Sequence, residues 1–252
     1  MKSTSNPLPK RVKIEEGRRK IIFQTDKDYL ITQFFKDDFY NSNGCKEEIL
    51  GKGVLSNTIS SFLMSKLAMI GVETHLLEKV NMSEQLVQKA EVIPITFVVN
   101  QIASGRYVEN MGLQEGFVFQ KPMIDMLTKA NGKKTPLNED QILNFEWLDE
   151  EELKDLKDVA LNINYFLVGL FASVNIRLVS CKLEFGRIFS PYGFSLVLID
   201  ELSPETLQLW DMNSNTKLDA SCIDLKSSEP LSCYEEIIRR LNINNDPYNR
   251  VN

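Results

Sequence analysis

Apolar residues recur at helical spacing from Val54 to Ile70, where Ile59, Phe62, Leu63, Leu67 and Ile70 share a face with the stem of Lys66. Ser56 and Asn57 suit the opening turn, and Gly71 ends the pattern. A longer amphipathic helix is predicted over Asp149 to Ala172, with Leu153, Leu156, Val159, Leu161, Ile163, Phe166, Leu167 and Leu170 as its core candidates. Ser232 to Leu241 reads as a closing helix. Strands are predicted over Arg19 to Gln24 and Tyr29 to Phe35, around the turn Thr25-Asp26-Lys27-Asp28. Leu76 to Val80 and Glu91 to Val99 follow, with Pro94 favouring an edge or irregular position. Val174 to Phe189 and Phe194 to Asp200 form a hairpin around Ser190-Pro191-Tyr192-Gly193. Asp37 to Lys52 reads as a polar loop, with Asn43-Gly44 as a turn signal. The organisation is a loose basic arm at residues 1–12, a β-rich lobe at 13–100 and a mixed α/β part at 101–252.

The hairpin carries the strongest chemical pattern. Counting outward from its turn places Glu184 within one residue of Asp200, and Lys182 shares a strand face with Glu184. Two carboxylates and a lysine on one face match what a magnesium–triphosphate site needs: oxygen ligands for a hard cation, and a positive charge for phosphate. On the residues alone, a solvated hairpin with an ion pair is the simpler account. Cys181 alternates onto the opposite face, which assigns it to the core.

The bulk properties narrow the choice. A chain of 252 residues with 43% apolar residues can bury a sizeable core. The net charge of -6, with signs interspersed, argues against a general nucleic-acid binder. His75 is the single histidine, so multi-histidine metal sites are excluded, and a structural role suits it better than a catalytic one. Cys45, Cys181, Cys222 and Cys233 lack zinc or redox spacing and read as reduced thiols of a cytoplasmic protein. Ser3-Thr4-Ser5-Asn6-Pro7 stands where a signal peptide needs an apolar core, and no apolar run has the length of a membrane span.

Several stretches together resemble the SAICAR synthetase family: Gly17-Arg18-Arg19-Lys20, Gly51-Lys52-Gly53-Val54-Leu55-Ser56-Asn57, Glu84-Gln85-Leu86-Val87, Ile93-Pro94, Lys182-Leu183-Glu184-Phe185-Gly186, Asp200-Glu201-Leu202-Ser203-Pro204 and Leu209-Trp210-Asp211. The resemblance runs from about Glu16 to Leu241 in the family's motif order. It implies an α+β fold with a β-rich, kinase-like N-terminal ATP lobe and a larger mixed C-terminal part. It also implies an ATP- and magnesium-dependent ligase of purine biosynthesis, joining L-aspartate to the carboxylate of a carboxyaminoimidazole ribonucleotide. By position, Lys20, Arg18, Lys129 and Lys182 would attend the nucleotide, and Glu91 to Pro94 would line the adenine through the backbone. Glu184 and Asp200 would hold magnesium, and Lys182 and Asp200 would carry the catalytic roles. Small molecules are the expected partners, without nucleic acid or membrane, and a homodimer is the expected assembly.

The departures from the family pattern cluster at the acceptor end. Asn100 stands where the family has an arginine, Arg106 where it has a serine and Ser180 where it has an aspartate. Gln208 replaces an arginine, and Ser221-Cys222-Ile223-Asp224 aligns with an arginine-bearing segment. Thr135-Pro136 and Phe39-Tyr40 replace an Asp-Pro and a small-residue pair. Asn100, Arg106 and Ser180 are therefore the candidate substrate contacts. The alternative expectation is a family member that binds magnesium–ATP but uses another acceptor, or has no activity.

Overall fold

The computed structural model describes residues 11–41, 44–130 and 133–245, without the side chains of Lys129, Ala130 and Lys133. The predicted N-terminal arm and frayed tail fall almost wholly outside these residues. In chain order the elements are β1 (Lys13–Glu16), β2 (Lys20–Gln24), β3 (Leu30–Phe35), β4 (Asp38–Tyr40), β5 (Lys46–Glu48), α1 (Lys52–Met69), β6 (Leu76–Asn81), β7 (Glu84–Gln88) and β8 (Glu91–Ile102). There follow α2 (Arg106–Glu109), β9 (Val118–Ala130), β10 (Lys133–Leu137), α3 (Glu139–Asn144), α4 (Glu150–Ala172), β11 (Ile176–Ser190), β12 (Gly193–Ile199), β13 (Leu207–Asp211) and α5 (Ser232–Arg240). The fold is α+β.

Two antiparallel sheets dominate. The first has the order β1-β2-β3-β7-β6; the second has β10-β9-β8-β11-β12, with β13 pairing the other end of β11. The sheets meet where residues 73–75 run beside β12. His75 N donates to Leu198 O at 2.9 Å, and Leu198 N donates to Glu73 O at 2.9 Å. This junction forms the floor between the sheets.

The second sheet buries one face against α4. Phe97, Val99, Cys181, Leu183 and Phe185 are fully buried there, and the rings of Phe97 and Phe185 meet edge-on at 5.5 Å. The α4 core positions are Leu153, Leu156, Ala160, Ile163, Asn164, Leu167 and Phe171. Val159, Leu161, Phe166 and Leu170, predicted as core, flank that stripe and are only partly buried. Asp149 and Glu152 close a reciprocal capping box that starts the helix. In α1, Ile59, Phe62, Leu63 and Leu67 are buried as the spacing predicts, but Ile70 lies past the helix end and is exposed.

Two glycines are required by space. A Cβ at Gly53 would stand 2.3 Å from Phe35 O, so only glycine lets the start of α1 touch the end of β3. A Cβ at Gly186 would stand 2.8 Å from Glu91 O, at the register break between β11 and β8. Pro94 lies in that same break, before β8 begins to pair with β9 at Thr96. Its irregular position is therefore inside a central strand rather than at an edge.

The reduced-thiol expectation holds for Cys45 and Cys181 but not for the other pair. Cys222 and Cys233 form a disulfide, with Cα atoms 6.6 Å apart. The loop that precedes α5 folds back on the helix, which sequence spacing does not reveal. Among the described residues, no helix is long and apolar enough to cross a membrane.

Candidate functional site

A cleft of about 620 Å³ opens between the two sheets. Its walls include Arg18, Arg19, Lys20, Lys182, Glu184 and Asp200, which brings five of the predicted site residues to one cavity. Apolar side chains of Ile22, Ile31, Val92, Leu127 and Ile199 line the rest, with the backbone segment Gln88 to Ala90 beside them.

The hairpin register is the predicted one. Glu184 pairs with Ile199, which puts Asp200 one residue beyond. Asp200 takes a left-handed φ of 65°, a conformation that Asp tolerates better than most residues. Alternation along β11 turns Ser180, Lys182 and Glu184 to the cleft side, away from the buried Cys181, Leu183 and Phe185. Across the ladder, Asn100, Val98 and Thr96 of β8 stand opposite them in that order.

Charge in the cleft is crowded and unevenly compensated. Lys20 donates to the Asp200 carboxylate and lies 3.6 Å from Glu201 Oε1. Burial works against its charge, but these carboxylates outweigh it and raise its pKa. Glu184 is pushed up by burial and by the charge of Asp200, against the pull of Lys20 and a 3.3 Å hydrogen bond from Thr96 Oγ1. Lys182 is pushed down to about 8 by burial and by the nearby charges of Lys134 and Arg19. The cleft thus holds Glu184, short of positive charge beside Asp200, and Lys182, short of negative charge among Lys134 and Arg19, whereas Lys20 and Asp200 offset each other. A cation beside Glu184 and an anion beside Lys182 would relieve both.

No cluster of three or more His, Cys, Asp or Glu suited to a metal occurs among the described residues. Two carboxylates are nevertheless the usual protein share of a magnesium site whose other ligands are phosphate oxygens and water. The donor set of Glu184 and Asp200 fits that ion.

His75 is 3% exposed and lines the cleft floor. Burial and the nearby Lys20 charge lower its pKa to about 3, against a weaker hydrogen bond with the Asp200 backbone. The ring is therefore neutral at physiological pH.

Behind the lysines lies an ion-pair network that the sequence did not disclose. Glu205 receives Lys52 at 2.6 Å, Arg19 at 3.2 Å and the Tyr234 hydroxyl at 3.3 Å. Lys52 is only 1% exposed. Glu201 accepts from Ser203 Oγ at 2.5 Å. The available signals were a lysine flanked by the helix-starting Gly51 and Gly53, and the two glutamates that bracket Ser203-Pro204.

The acceptor-end candidates fall into two neighbouring groups. Asn100 Nδ2 donates to Asp125 Oδ2 at 3.0 Å, and Arg106 and Tyr107 also donate to Asp125. Ser180 Oγ donates to Gln208 Oε1 at 3.2 Å, and Ser104 Oγ donates to the same atom at 2.8 Å. Asn100 and Arg106 are thus joined through a carboxylate that sequence reasoning passed over. Asp224 sits in an exposed turn, accepting from Lys226 N. Tyr40 lies under Arg18, whose guanidinium is 5.1 Å from the ring centroid. The Glu91 side chain turns away to Arg187, 3.6 Å distant, while its backbone neighbours Ala90 and Val92 line the cleft. Lys129 is on β9, but its side chain lies outside the described residues.

The family model of SAICAR synthetase matches residues 13–240. A phosphoribosylaminoimidazole-succinocarboxamide synthase of Rickettsia massiliae is 46% identical over 230 residues, covering 91% of this chain and 98% of the relative. The crystal structure of the synthase of that name from Ehrlichia chaffeensis superposes with a TM-score of 0.87 at 38% identity, covering 92% of this chain and 98% of that one. A SAICAR synthetase solved in complex with ADP superposes with a TM-score of 0.83 at 28% identity, covering 90% and 96% of the two chains.

Proposed function

The chain belongs to the SAICAR synthetase family and is an ATP-dependent ligase of purine biosynthesis; on that premise we propose how its residues divide the work. The observation that carries the assignment of roles is the convergence of Lys20, Lys182, Glu184 and Asp200 on one cleft.

The acceptor carboxylate of the carboxyaminoimidazole ribonucleotide is a poor electrophile, because oxide is a prohibitive leaving group. Its oxygen attacks the γ-phosphorus of ATP, and ADP departs, leaving an acyl phosphate. The amine of L-aspartate, having lost its proton, then attacks the carbonyl carbon. The C–N bond forms, phosphate departs and the nitrogen gives up a second proton to solvent. Lys20 and Lys182 hold and neutralise the phosphates, with Arg18 and Arg19 also lining the cleft. Lys129 attends the nucleotide from β9, and the backbone beside Glu91 borders the base. Glu184 and Asp200 would hold magnesium, which would supply positive charge against the transferring phosphoryl group. At the acceptor end, Arg106, Asn100 and Ser180 contact the ribonucleotide, with Arg106 supplying the positive charge. Positioning and charge neutralisation account for this chemistry without a histidine base.

The accompanying proposals are a cytoplasmic homodimer that takes ATP, ribonucleotide and L-aspartate and binds neither nucleic acid nor membrane. The net charge of -6 supports the absence of a nucleic-acid partner. The test is incubation of the protein with magnesium, ATP, L-aspartate and the ribonucleotide. ADP and the succinocarboxamide in equal amounts are expected. ATP binding without product would reject the acceptor assignment.

A further inference from the structure

Two buried polar atoms in the cleft lack a protein partner: Gln33 Oε1 and His75 Nε2. Both residues line the cavity, and their side chains are deeply buried, at 6% and 3% exposure for the whole residues. Gln33 stands opposite Ile22 and two residues from Ile31, so its amide is set into the apolar part of the lining. His75 enters from the junction strand, where its backbone oxygen accepts from Gln88 N at 2.8 Å, next to Lys89 and Ala90. A buried polar atom without a protein partner is costly, and two that line one cleft mark a place where a ligand or water completes them.

We propose that Gln33 and His75 are specificity-determining residues that select adenine by its exocyclic amino group. The inference rests on the reading of this cleft as the ATP site. An amide Oε1 only accepts hydrogen bonds. In the neutral imidazole one ring nitrogen is an acceptor, and Nε2, which has no protein partner, takes that role here. Two acceptors at the floor of an apolar slot call for a flat, apolar ligand with a two-hydrogen donor at its edge. Adenine carries an NH₂ there. A 6-oxo purine carries an oxygen whose lone pairs would face both acceptors, leaving them unpaired and adding repulsion. Phosphates suit neither atom, because they offer only acceptors.

The test is calorimetric titration of the full chain with magnesium and ATP, ITP (6-oxo), purine riboside triphosphate (hydrogen at C6) or 2′-deoxy-ATP. The wild type is expected to bind ATP at least tenfold more tightly than ITP, with the C6–H analogue between them. Each hydrogen bond accounts for roughly threefold to tenfold. Gln33→Leu and His75→Leu should each shrink the ATP-to-ITP ratio severalfold, while the ATP-to-deoxy-ATP ratio stays unchanged. His75→Gln, which restores an acceptor, should keep the preference and covers the case in which the leucine variant fails to fold. A wild type that binds ATP and ITP equally, or variants with the wild-type ratio, would overturn the proposal and leave the two atoms to a buried water. Loss confined to the deoxy comparison would overturn it in favour of a ribose contact. A wild type that binds no nucleotide would instead reject the reading of the cleft on which it rests.

Discussion

Lys20 on β2 donates a hydrogen bond to Asp200 just past the end of β12, so one charged contact joins the two sheets within the cleft. The same lysine lies 3.6 Å from Glu201, and its ammonium is 5.6 Å from the ring centroid of Phe35 opposite it on β3. Phosphate and cation together would release Lys20 from Asp200, freeing the first for the phosphate and the second for the metal.

Asp200→Asn should abolish most of the magnesium-dependent part of ATP binding. A lost charge-assisted contact corresponds to about 1.5–3 kcal/mol, or roughly a 10- to 150-fold weaker dissociation constant. Titrations with magnesium and with EDTA check this. Equal weakening under both conditions would mean that Asp200 does not act through the metal.

Glu205→Gln should destabilise the whole fold. Lys52 is 1% exposed and its ammonium would lose the carboxylate 2.6 Å away. Breaking a buried pair from one side costs about 3–5 kcal/mol. Urea unfolding measures it; a change under about 0.5 kcal/mol would place this pair with surface ion pairs.

Gly186→Ala should cost stability and activity together. The new methyl would meet Glu91 O at 2.8 Å and Ala90 Cβ at 2.9 Å, so β11 and β8 must separate beside Glu184. Overpacking of this kind costs about 1–3 kcal/mol. The melting temperature and kcat are expected to fall in the same variant.

Stability should fall as the solution is acidified below pH 6.5, partly through His75. Its folded pKa is about 3 against an ordinary value of 6.5, so between these the unfolded chain takes a proton that the fold refuses. The stabilisation is complete above pH 6.5 and is lost as pH drops towards 3. Glu184, whose pKa is raised, acts in the opposite sense. The quantity to measure is therefore the difference between wild type and His75→Gln. It should change by up to about 1.4 kcal/mol per pH unit within that window.

Arg106→Ala should raise KM for the ribonucleotide roughly 10-fold or more while KM for ATP stays put, if the lost contact is charge-assisted. An unchanged acceptor KM would leave the Arg106–Asp125 pair as a surface feature.

The hairpin was legible because its signals are local: alternation, a two-residue turn and charges spaced by two. The reading of its cleft as a nucleotide site came from the family resemblance, because the residues alone favour a solvated ion pair. The strands β9, β10 and β13 were not read, nor were the short pairs β4–β5 and β6–β7 in full. Their sequences, such as Lys133 to Leu137, become strands through neighbours rather than through their own propensity. The pairing of Lys52 with Glu205 was not read because the two lie far apart in the chain. Asp125 was missed for the same reason: its partners Asn100, Arg106 and Tyr107 come from other elements. The disulfide depends on a loop reversal that no spacing rule encodes.

Strand β11 carries Ser180, Lys182 and Glu184 on one side, with each pair separated by one pleat. At about 3.3 Å per residue, Ser180 and Glu184 lie about 13 Å apart along a backbone held by ladders on both edges. That strand is a ruler. The reach between the two ends of the reaction is graduated by the peptide repeat, and no loop can stretch it. Exchanging the side chain at one mark changes what is gripped there and leaves the other marks in place. On the proposed roles, the acceptor contact at Ser180 can change while Lys182 and Glu184 keep their calibration.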